Sequence, residues 1–220
     1  MNLRFVETSL QRNVLFAVEL LDAVTLERVN QGVTVDAQGL DRKPISNSGG
    51  LFVWIKQTPQ EDTTALRSLA IDTGELPYQS HTINSSQVQA PPQPTTVLLA
   101  PRVNYPFQPG VSGVRGTLLE SKFGPRRPVL DGSVNLQWIN NSGIWIDSPP
   151  LSKTEMDKGD FIAVLRILPT DKPDLNNDGA IQVRLQADRP TAIRRYSTPF
   201  NLTPGRLSEP MQFAWDELNP

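Results

Sequence analysis

One pattern occurs twice in the chain: a polar turn ends in glycine and passes directly into an apolar run. The stronger copy spans residues 154–165 and turns at Gly159. The weaker copy spans residues 44–55 and turns at Gly49 and Gly50. Glycine allows the backbone of a tight turn, and the β-branched and aromatic residues that follow favour a strand. The pattern therefore predicts a turn leading into a buried strand in each of two similar domains.

The prolines are consistent with this prediction, because all the longer apolar runs lie between them. The chain has 20 prolines in 220 residues, about twice the average usage, and segments with helical periodicity are scarce. Strands are predicted at 14–21, 51–56 and 161–168, and Leu3, Phe5 and Val6 are typical of a short edge strand. We expect an all-β protein of two tandem antiparallel β-sandwich domains.

The domain boundaries follow from the proline-rich stretches. We predict a first sandwich over residues 1–100, a linker over 101–110, a second sandwich over 111–198 and a C-terminal extension over 199–220. Proline-rich linkers are stiff. Tyr105 and Phe107 in this linker are expected to pack against a neighbouring domain and to hold the two domains in a set orientation.

Charge and composition exclude several classes of function. With 21 basic and 23 acidic residues the net charge is −2, so bulk attraction to nucleic acid or to an anionic membrane is not expected. The chain has no cysteine, which excludes disulfides and thiolate chemistry. The N-terminus lacks the apolar region of a Sec signal, and no run approaches the roughly 20 apolar residues of a membrane span. We expect a soluble, cytoplasmic or particle-associated protein without membrane insertion.

A second hairpin signal surrounds the Asn-Asn-Ser-Gly sequence at residues 140–143. A symmetric even loop centred there places Trp138 opposite Trp145 on one face of the hairpin. Two interpretations are open for this pair. The tryptophans pack in the core of a sandwich, or they form a platform that stacks on sugars or anchors a protein partner.

Three segments of the second domain resemble a known family. They read Val-Ser-Gly-Val-Arg-Gly at 111–116, Pro-Val-Leu-Asp-Gly-Ser-Val at 128–134 and Thr-Glu-Met-Asp-Lys-Gly-Asp-Phe at 154–161. Together they resemble the carboxypeptidase regulatory-like, or transthyretin-like, β-sandwich repeat. The sequence departs from that pattern by one residue between Asp157 and Gly159 and by Ser133 in place of Ala, and the first domain is similar only through residues 32–35 and 48–52.

The resemblance implies a fold and no chemistry. It implies an Ig-like antiparallel sandwich of roughly seven or eight strands. Modules of this kind serve as accessory domains or building blocks of many unrelated proteins, so the resemblance does not identify an active site.

One segment suggests a cation site. Asp174, Asn176, Asp178 and Gly179 match the first half of an EF-hand calcium loop, in which alternate side-chain oxygens bind the ion. The last position of such a loop, normally Glu, holds Leu185. The alternative interpretation is an Asx/Gly turn between two strands, without a bound cofactor.

The remaining candidate groups each have a simpler interpretation. His81 is the single histidine, with Ser80 and Asp72 nearby, but no nucleophile motif surrounds it, so an exposed histidine is expected. A pair of carboxylates for glycoside hydrolysis would have to come from a turn that we interpret as solvated. Two arginine doublets could bind a phosphate or an acidic partner, and the simpler interpretation is that they protect the edges of strands. These carboxylates and doublets are Glu155, Asp157, Asp160, Arg126, Arg127, Arg194 and Arg195.

The sequence thus favours a non-enzymatic structural or adaptor subunit that contacts other protein subunits in a larger assembly. A phage-tail-like or contractile injection particle is the most specific hypothesis. Strand addition at an open sheet edge and insertion of the tail around Phe213 and Trp215 are the expected contacts. The alternative is a carbohydrate- or surface-binding accessory module that reads its ligand through Trp138 and Trp145.

Overall fold

The structure, a computed structural model, describes residues 13–168 and 170–220. In these residues the regular structure is β-strand, apart from the short 3₁₀ segments Ser85–Gln87 and Trp215–Glu217. The all-β prediction is therefore confirmed. Leu3, Phe5 and Val6, predicted as an edge strand, lie outside the described residues. The strands are β1 (Val14–Asp22), β2 (Thr34–Gln38), β3 (Ile45–Ser46), β4 (Leu51–Ile55), β5 (Ser68–Asp72), β6 (His81–Asn84), β7 (Thr95–Leu99), β8 (Gly113–Leu119), β9 (Ser133–Ile139), β10 (Trp145–Lys153), β11 (Asp160–Val164), β12 (Ile181–Asp188), β13 (Arg195–Tyr196), β14 (Phe200–Leu202) and β15 (Met211–Ala214).

The chain divides into two compact units. Of the described residues, the first unit contains 13–20, 28–74 and 80–97, and the second contains 21–27, 75–79 and the residues from 98 onward. The predicted linker, 101–110, thus belongs to the second unit. No helix in the described ranges is long and apolar enough to cross a membrane.

The first unit is built on two sheets, with strand orders β3-β4-β1-β7 and β2-β5-β6. Alternate residues of β1 and β4 point into its core, as the period of a half-buried strand requires. There the rings of Phe16 and Trp54 stack with centroids 4.6 Å apart. Leu69 and Ile71 of β5 are also buried, so both sheets contribute to the core.

The second unit is a sandwich of a sheet ordered β10-β9-β12-β13, to which β14 adds through β12, and a sheet ordered β11-β8-β15. Its core takes Leu136 and Leu185 from the first of these sheets and Leu118 and Phe161 from the second. Two sheets that share one apolar core define a sandwich.

The repeated turn and strand is present in both units. Gly50 has φ +80° and leads into β4, and Gly159 has φ +70° and leads into β11. At Gly159 a Cβ atom would lie 2.6 Å from the carbonyl oxygen of Leu118. This turn therefore requires glycine for two reasons, its backbone conformation and the close approach of β8.

One pairing departs from the antiparallel pattern, because β15 runs parallel to β8, from Met211 beside Gly116 to Ala214 beside Leu119. Residues of the predicted C-terminal extension thus complete a sheet of the second unit. The pairing of β15 with β8 cannot be predicted from local turn residues, because a long stretch of chain connects the two strands.

Two serine side chains of β10 form hydrogen bonds to β11, the edge strand of the other sheet of this sandwich. The hydroxyl of Ser148 donates to the carbonyl oxygen of Val164 at 3.1 Å, and that of Ser152 donates to the carbonyl oxygen of Ile162. Between the two serines, Pro149 and Pro150 coincide with a shift of register against β9, as expected for residues without an N–H group. The free edge of β11 is therefore covered by hydroxyl groups of β10.

Candidate interaction surface

The two tryptophans of the β9–β10 hairpin lie on opposite faces, so the prediction that they share one face is wrong. Trp138 pairs with Ile146, and Trp145 pairs with Ile139. The loop between Ile139 and Trp145 has an odd number of residues, because the side chain of Asn140 bridges it. The side-chain oxygen of Asn140 accepts hydrogen bonds from the N–H groups of Ser142 and Ile144, both at 2.9 Å. Side chains alternate along a strand, so this register turns one tryptophan inward and the other outward.

Trp138 belongs to the core, where it is 2% exposed, as one of the two interpretations of the hairpin predicts. Trp145 lies on the outer face and is partly covered by Arg184. The guanidinium carbon of Arg184 lies 4.4 Å from the centre of the Trp145 ring and 4.1 Å from that of Tyr196. Stacking of this kind is favourable. Burial lowers the pKa of Arg184, although the nearby Tyr196 and Asp147 raise it.

A row of polar side chains crosses the sheet beside this stack. The amide nitrogen of Gln137 donates to Asp147 at 2.7 Å and to Gln186 at 3.0 Å, and its oxygen accepts from Arg184 at 2.7 Å. Gln137 and Gln186 are buried by their neighbours. The polar side chains of the outer face thus form a hydrogen-bonded network. One side of the Trp145 ring is already in contact with Arg184 of the same chain.

Phe213 and Trp215 are both buried, which corrects the prediction that they insert into a partner. The ring of Phe213 lies 6.0 Å from that of Phe161 and packs in the core of the second unit. Arg195 donates to the carbonyl oxygen of Trp215 at 2.6 Å and lies 5.2 Å from its ring. The last strand is thus held by its own sandwich.

The calcium-like segment is a turn organised by Asn176. Its side-chain oxygen accepts from the N–H groups of Asp178 at 3.0 Å and Ala180 at 2.8 Å, and Leu175 bridges to Ile181. These contacts match the Asx/Gly interpretation, and one oxygen that a cation would need is engaged by the backbone. The described part of the chain contains no group of three or more histidine or acidic side chains placed to hold a metal.

Of the other candidate groups, His81, Ser80 and Asp72 lie close together in the first unit. His81 lies on β6 in the first unit, where it pairs with Ile71. The hydroxyl of Ser80 lies 3.4 Å from Asp72. In the second unit Asp160 accepts a hydrogen bond from Thr117 at 2.6 Å, so its carboxylate supports the start of β11.

A feature that the sequence reasoning missed lies at one end of the second unit. The three most exposed large apolar side chains of the described residues are Met156 (81%), Phe123 (80%) and Ile193 (76%). All three lie in connections between strands. Loops held on a rigid scaffold often carry binding residues.

Backbone and ion-pair contacts bring these connections to the same end. The loop with Phe123 begins where β8 ends and is closed by a hydrogen bond from Glu120 N to Arg127 O at 2.8 Å. The turn with Met156 meets β8 through the bond from Leu118 N to Gly159 O at 2.9 Å. The connection with Ile193 follows Arg189, whose guanidinium contacts Glu120 at 2.8 Å and Asp131 at 3.2 Å. We call this region the loop end.

A cavity of about 390 Å³ opens at the loop end, lined by Arg126, Pro128, Asp157, Lys158 and Asp160. It lies between the loop that carries Phe123 and the turn that carries Met156. Its walls therefore combine two cationic and two anionic groups with the ring of Pro128.

At the loop end, most carboxylates have a hydrogen-bond or ion-pair partner within the chain, whereas several Lys and Arg side chains have no carboxylate partner in the described structure. Most of its carboxylates accept a hydrogen bond or an ion pair from the chain; these are Glu120, Asp131, Asp160, Asp188, Asp216 and Glu217. The carboxylates of Glu155 and Asp157 accept neither a hydrogen bond nor an ion pair from the residues that the structure describes. In the described structure no carboxylate pairs with Arg126, Arg127, Lys153 or Lys158. The unused groups are thus mostly cationic donors.

A signal for the loop end was present in the sequence. Phe123 stands alone between Lys122 and Gly124, and Met156 between Glu155 and Asp157. A single large apolar residue inside a charged turn has no strand to bury it. The side chain of such a residue is predicted to be exposed to solvent.

No protein-family model, no curated protein and no solved structure matches this chain. The resemblance to the transthyretin-like repeat stays a prediction.

Proposed function

We propose that this protein is a non-enzymatic structural or adaptor subunit that binds a protein partner through the loop end. The observation that supports this proposal is the exposure of Phe123, Met156 and Ile193 in three connections at the same end of one unit. Burial of these side chains against a partner would be favourable, because leaving large apolar groups in water is not.

The rest of the second unit is consistent with a scaffold. Three aromatic residues that the sequence offered as binding candidates stabilise its own core; these are Trp138, Phe213 and Trp215. The edge of β11 is covered by Ser148 and Ser152. Contact through loops on a closed sandwich is a common arrangement for recognition modules.

The partner is proposed to be another protein of a larger assembly. A phage-tail-like or contractile injection particle remains the specific hypothesis, and it rests on the sequence alone. Sedimentation of the tagged chain from its source cells, with mass spectrometry of the fraction that contains it, tests this hypothesis directly.

A matched pair of variants tests the role of the loop end. The triple variant F123S/M156S/I193S is expected to leave the assembly fraction. The control I144S/L168S/L175S changes residues that are 57%, 54% and 53% exposed and that follow β9, follow β11 and precede β12, at the other end of the strands. It is expected to sediment like the wild type. Loss of the assembly with both variants, or with neither, contradicts the proposal, and thermal unfolding verifies that both variants are folded.

A carbohydrate- or surface-binding module remains the second candidate, at a cavity that Trp138 lines and Trp145 does not. A cavity of about 300 Å³ at the tip of the β9–β10 hairpin is lined by Trp138, Asn140, Asn141, Asp171 and Lys172, among others. An apolar wall with several amide and charged groups suits a sugar. Glycan-array binding that is lost in N141A/K172A and retained in F123S/M156S/I193S would favour this candidate.

A further inference from the structure

The loop between β8 and β9 has the features of a site for proteolytic processing. We propose that an endoprotease that cuts after Lys or Arg cleaves the chain after Lys122 or Arg126, and that the second unit stays folded as two pieces after the cut. Hydrolysis breaks the bond from the carbonyl carbon of either residue to the next nitrogen. Water supplies the hydroxyl of the new carboxyl group and a proton of the new amino group. This inference goes beyond the proposed docking function and does not depend on it.

The backbone of this loop is accessible and makes few bonds. Residues 122–127 are all exposed. The loop is closed at its base, where Glu120 N donates to Arg127 O at 2.8 Å, and residues 121–126 form no bond between backbone groups in the described structure. An endoprotease binds several residues of its substrate in an extended conformation, so it cuts where a segment can take up that conformation without breaking the fold.

The side chains of Lys122 and Arg126 are available to a protease. The ammonium group of Lys122 contacts Glu217 at 2.9 Å, but the two side chains are 58% and 49% exposed, and ion pairs at the surface contribute little to stability. Arg126 forms no ion pair with the described chain. Either cation can therefore enter the specificity pocket of such an enzyme, which carries a carboxylate.

Four basic residues are excluded as sites by the residue that follows them. Each precedes proline, and endoproteases of this class do not cleave that bond, because the proline ring fixes the backbone angle φ and replaces the N–H group. These four are Lys43, Arg127, Lys172 and Arg189. Within the loop, cleavage is thus restricted to the bonds after Lys122 and Arg126.

Most of the other basic residues after residue 12 are protected by the fold. They lie within strands, or a main-chain hydrogen bond forms at the residue or at its successor, as at Arg67 and Lys158. The side chain of Arg42 is only 18% exposed and pairs with Glu61. Arg194 directly precedes β13, so a cut after it requires β13 to leave β12. Cleavage at these places requires local unfolding, which cleavage in the loop does not.

The strand order of the second unit keeps the two pieces together after the cut. The first piece ends with β8, and β8 is the middle strand of the sheet β11-β8-β15. It pairs with β11 on one side and with β15 on the other, and both of those strands belong to the second piece. Val114 and Leu118 of β8 are buried in the shared core. Two ladders of hydrogen bonds and the apolar contacts of the core therefore hold the pieces.

Two polar contacts join the same two pieces. The side chain of Gln79 accepts from the N–H group of Lys153 at 2.7 Å and donates to its carbonyl oxygen at 2.9 Å. Glu120 pairs with Arg189 at 2.8 Å. After the cut these contacts form between separate chains, so the stability of the second unit becomes dependent on protein concentration.

Limited digestion of the full-length protein with trypsin tests the site. Mass spectrometry of early samples is expected to show that the first cut after residue 12 falls after Lys122 or Arg126. The cut protein should elute from a native size-exclusion column with the uncut protein and should separate into two pieces in denaturant. Its midpoint in denaturant should rise with protein concentration, whereas the midpoint of the uncut protein should not.

A matched pair of variants assigns the cut to the loop. K122Q/R126Q is expected to be cut after residue 12 about tenfold more slowly than the wild type or slower still, because the remaining sites open only by local unfolding. K158Q/R194Q removes the same charge from two exposed residues at the same end and is expected to be cut like the wild type.

Three results would overturn the proposal. The first cut after residue 12 falls outside residues 122–127, the two variants are cut at the same rate, or the two pieces separate on the native column. Mapping of the cut in the wild type decides the first of these without either variant.

Discussion

The phenol of Tyr105 donates a hydrogen bond of 2.5 Å to Oδ2 of Asp22, an oxygen that also accepts from Tyr78 at 3.1 Å. The other carboxylate oxygen accepts from the N–H group of Val24 at 2.7 Å. Asp22 is buried, and a buried carboxylate is stable only when its oxygens are hydrogen-bonded in this way. Tyr105, expected in a linker, is thus part of a buried polar cluster in the second unit.

This cluster predicts a loss of stability in alkali. Burial, with the charge of Asp22, raises the pKa of Tyr78 to about 12, and burial with the hydrogen bond to Asp22 also raises the pKa of Tyr105. An unfolded tyrosine has a pKa near 10. The contribution of both groups is therefore complete below about pH 10 and is lost as the pH rises through the folded-state pKa values.

Chemical unfolding at a series of pH values, together with the tyrosinate absorbance, measures this loss. Tyr105→Phe is expected to cost about 1 kcal/mol at neutral pH, for one hydrogen bond, and to make the alkaline decline smaller. A variant whose stability falls with pH as steeply as the wild type would contradict the assignment.

A pair of glycine variants is predicted to separate backbone conformation from close approach. Gly159 and Gly143 have φ of +70° and +75°, but a Cβ at Gly159 would lie 2.6 Å from the oxygen of Leu118, whereas nothing lies within 4 Å at Gly143. We expect Gly143→Ala to cost about 1 kcal/mol for the left-handed backbone alone, and Gly159→Ala to cost clearly more. Equal midpoints in denaturant would show that β8 does not approach this turn as described.

The hairpin register predicts unequal costs for its two tryptophans. Trp138→Ala should destabilise the protein by about 3 to 5 kcal/mol, because it leaves a cavity in the core. Trp145→Ala removes a partly exposed ring and one stacking contact with Arg184, and should cost about 1 kcal/mol. Denaturant unfolding of the two variants measures both values, and similar costs would favour the register in which the two rings share a face.

The C-terminal strand is predicted to be necessary for the second unit. Deletion of residues 211–220 removes the pairing of β15 with β8 and the buried side chains of Phe213, Trp215 and Leu218. We expect the truncated chain to lose cooperative unfolding and to bind hydrophobic dyes, since the core and one edge of β8 are then exposed. Phe213→Ala, which leaves the strand itself in place, should cost about 3 kcal/mol. A truncated chain as stable as the wild type would restore the interpretation of this segment as a free tail.

The sequence was informative where the determinants are local. The turns at Gly50 and Gly159 and the strands that follow them were predicted because glycine and a β-branched run act within a few residues. The start of β1 at Val14 was predicted for the same reason.

Non-local determinants were not accessible. The hairpin loop has an odd number of residues because the side chain of Asn140 takes the place of a main-chain hydrogen-bond partner. The composition of a turn does not predict the number of residues in its loop. The parallel pairing of β15 depends on the apolar surface that β8 offers, far away in sequence. The loop end could not be predicted, because each of its apolar residues is isolated in the sequence. Only the fold brings the three connections that carry them to the same end of the strands.

The hydrogen bonds from Ser148 and Ser152 to β11 have a consequence for association between copies of this chain. In a crowded array of identical subunits, an uncovered strand is a template on which the next copy can polymerise. At β11 the hydroxyl groups of Ser148 and Ser152 already donate to the carbonyl oxygens of Val164 and Ile162. These two contacts therefore reduce the capacity of β11 to accept a strand from a second copy of the chain.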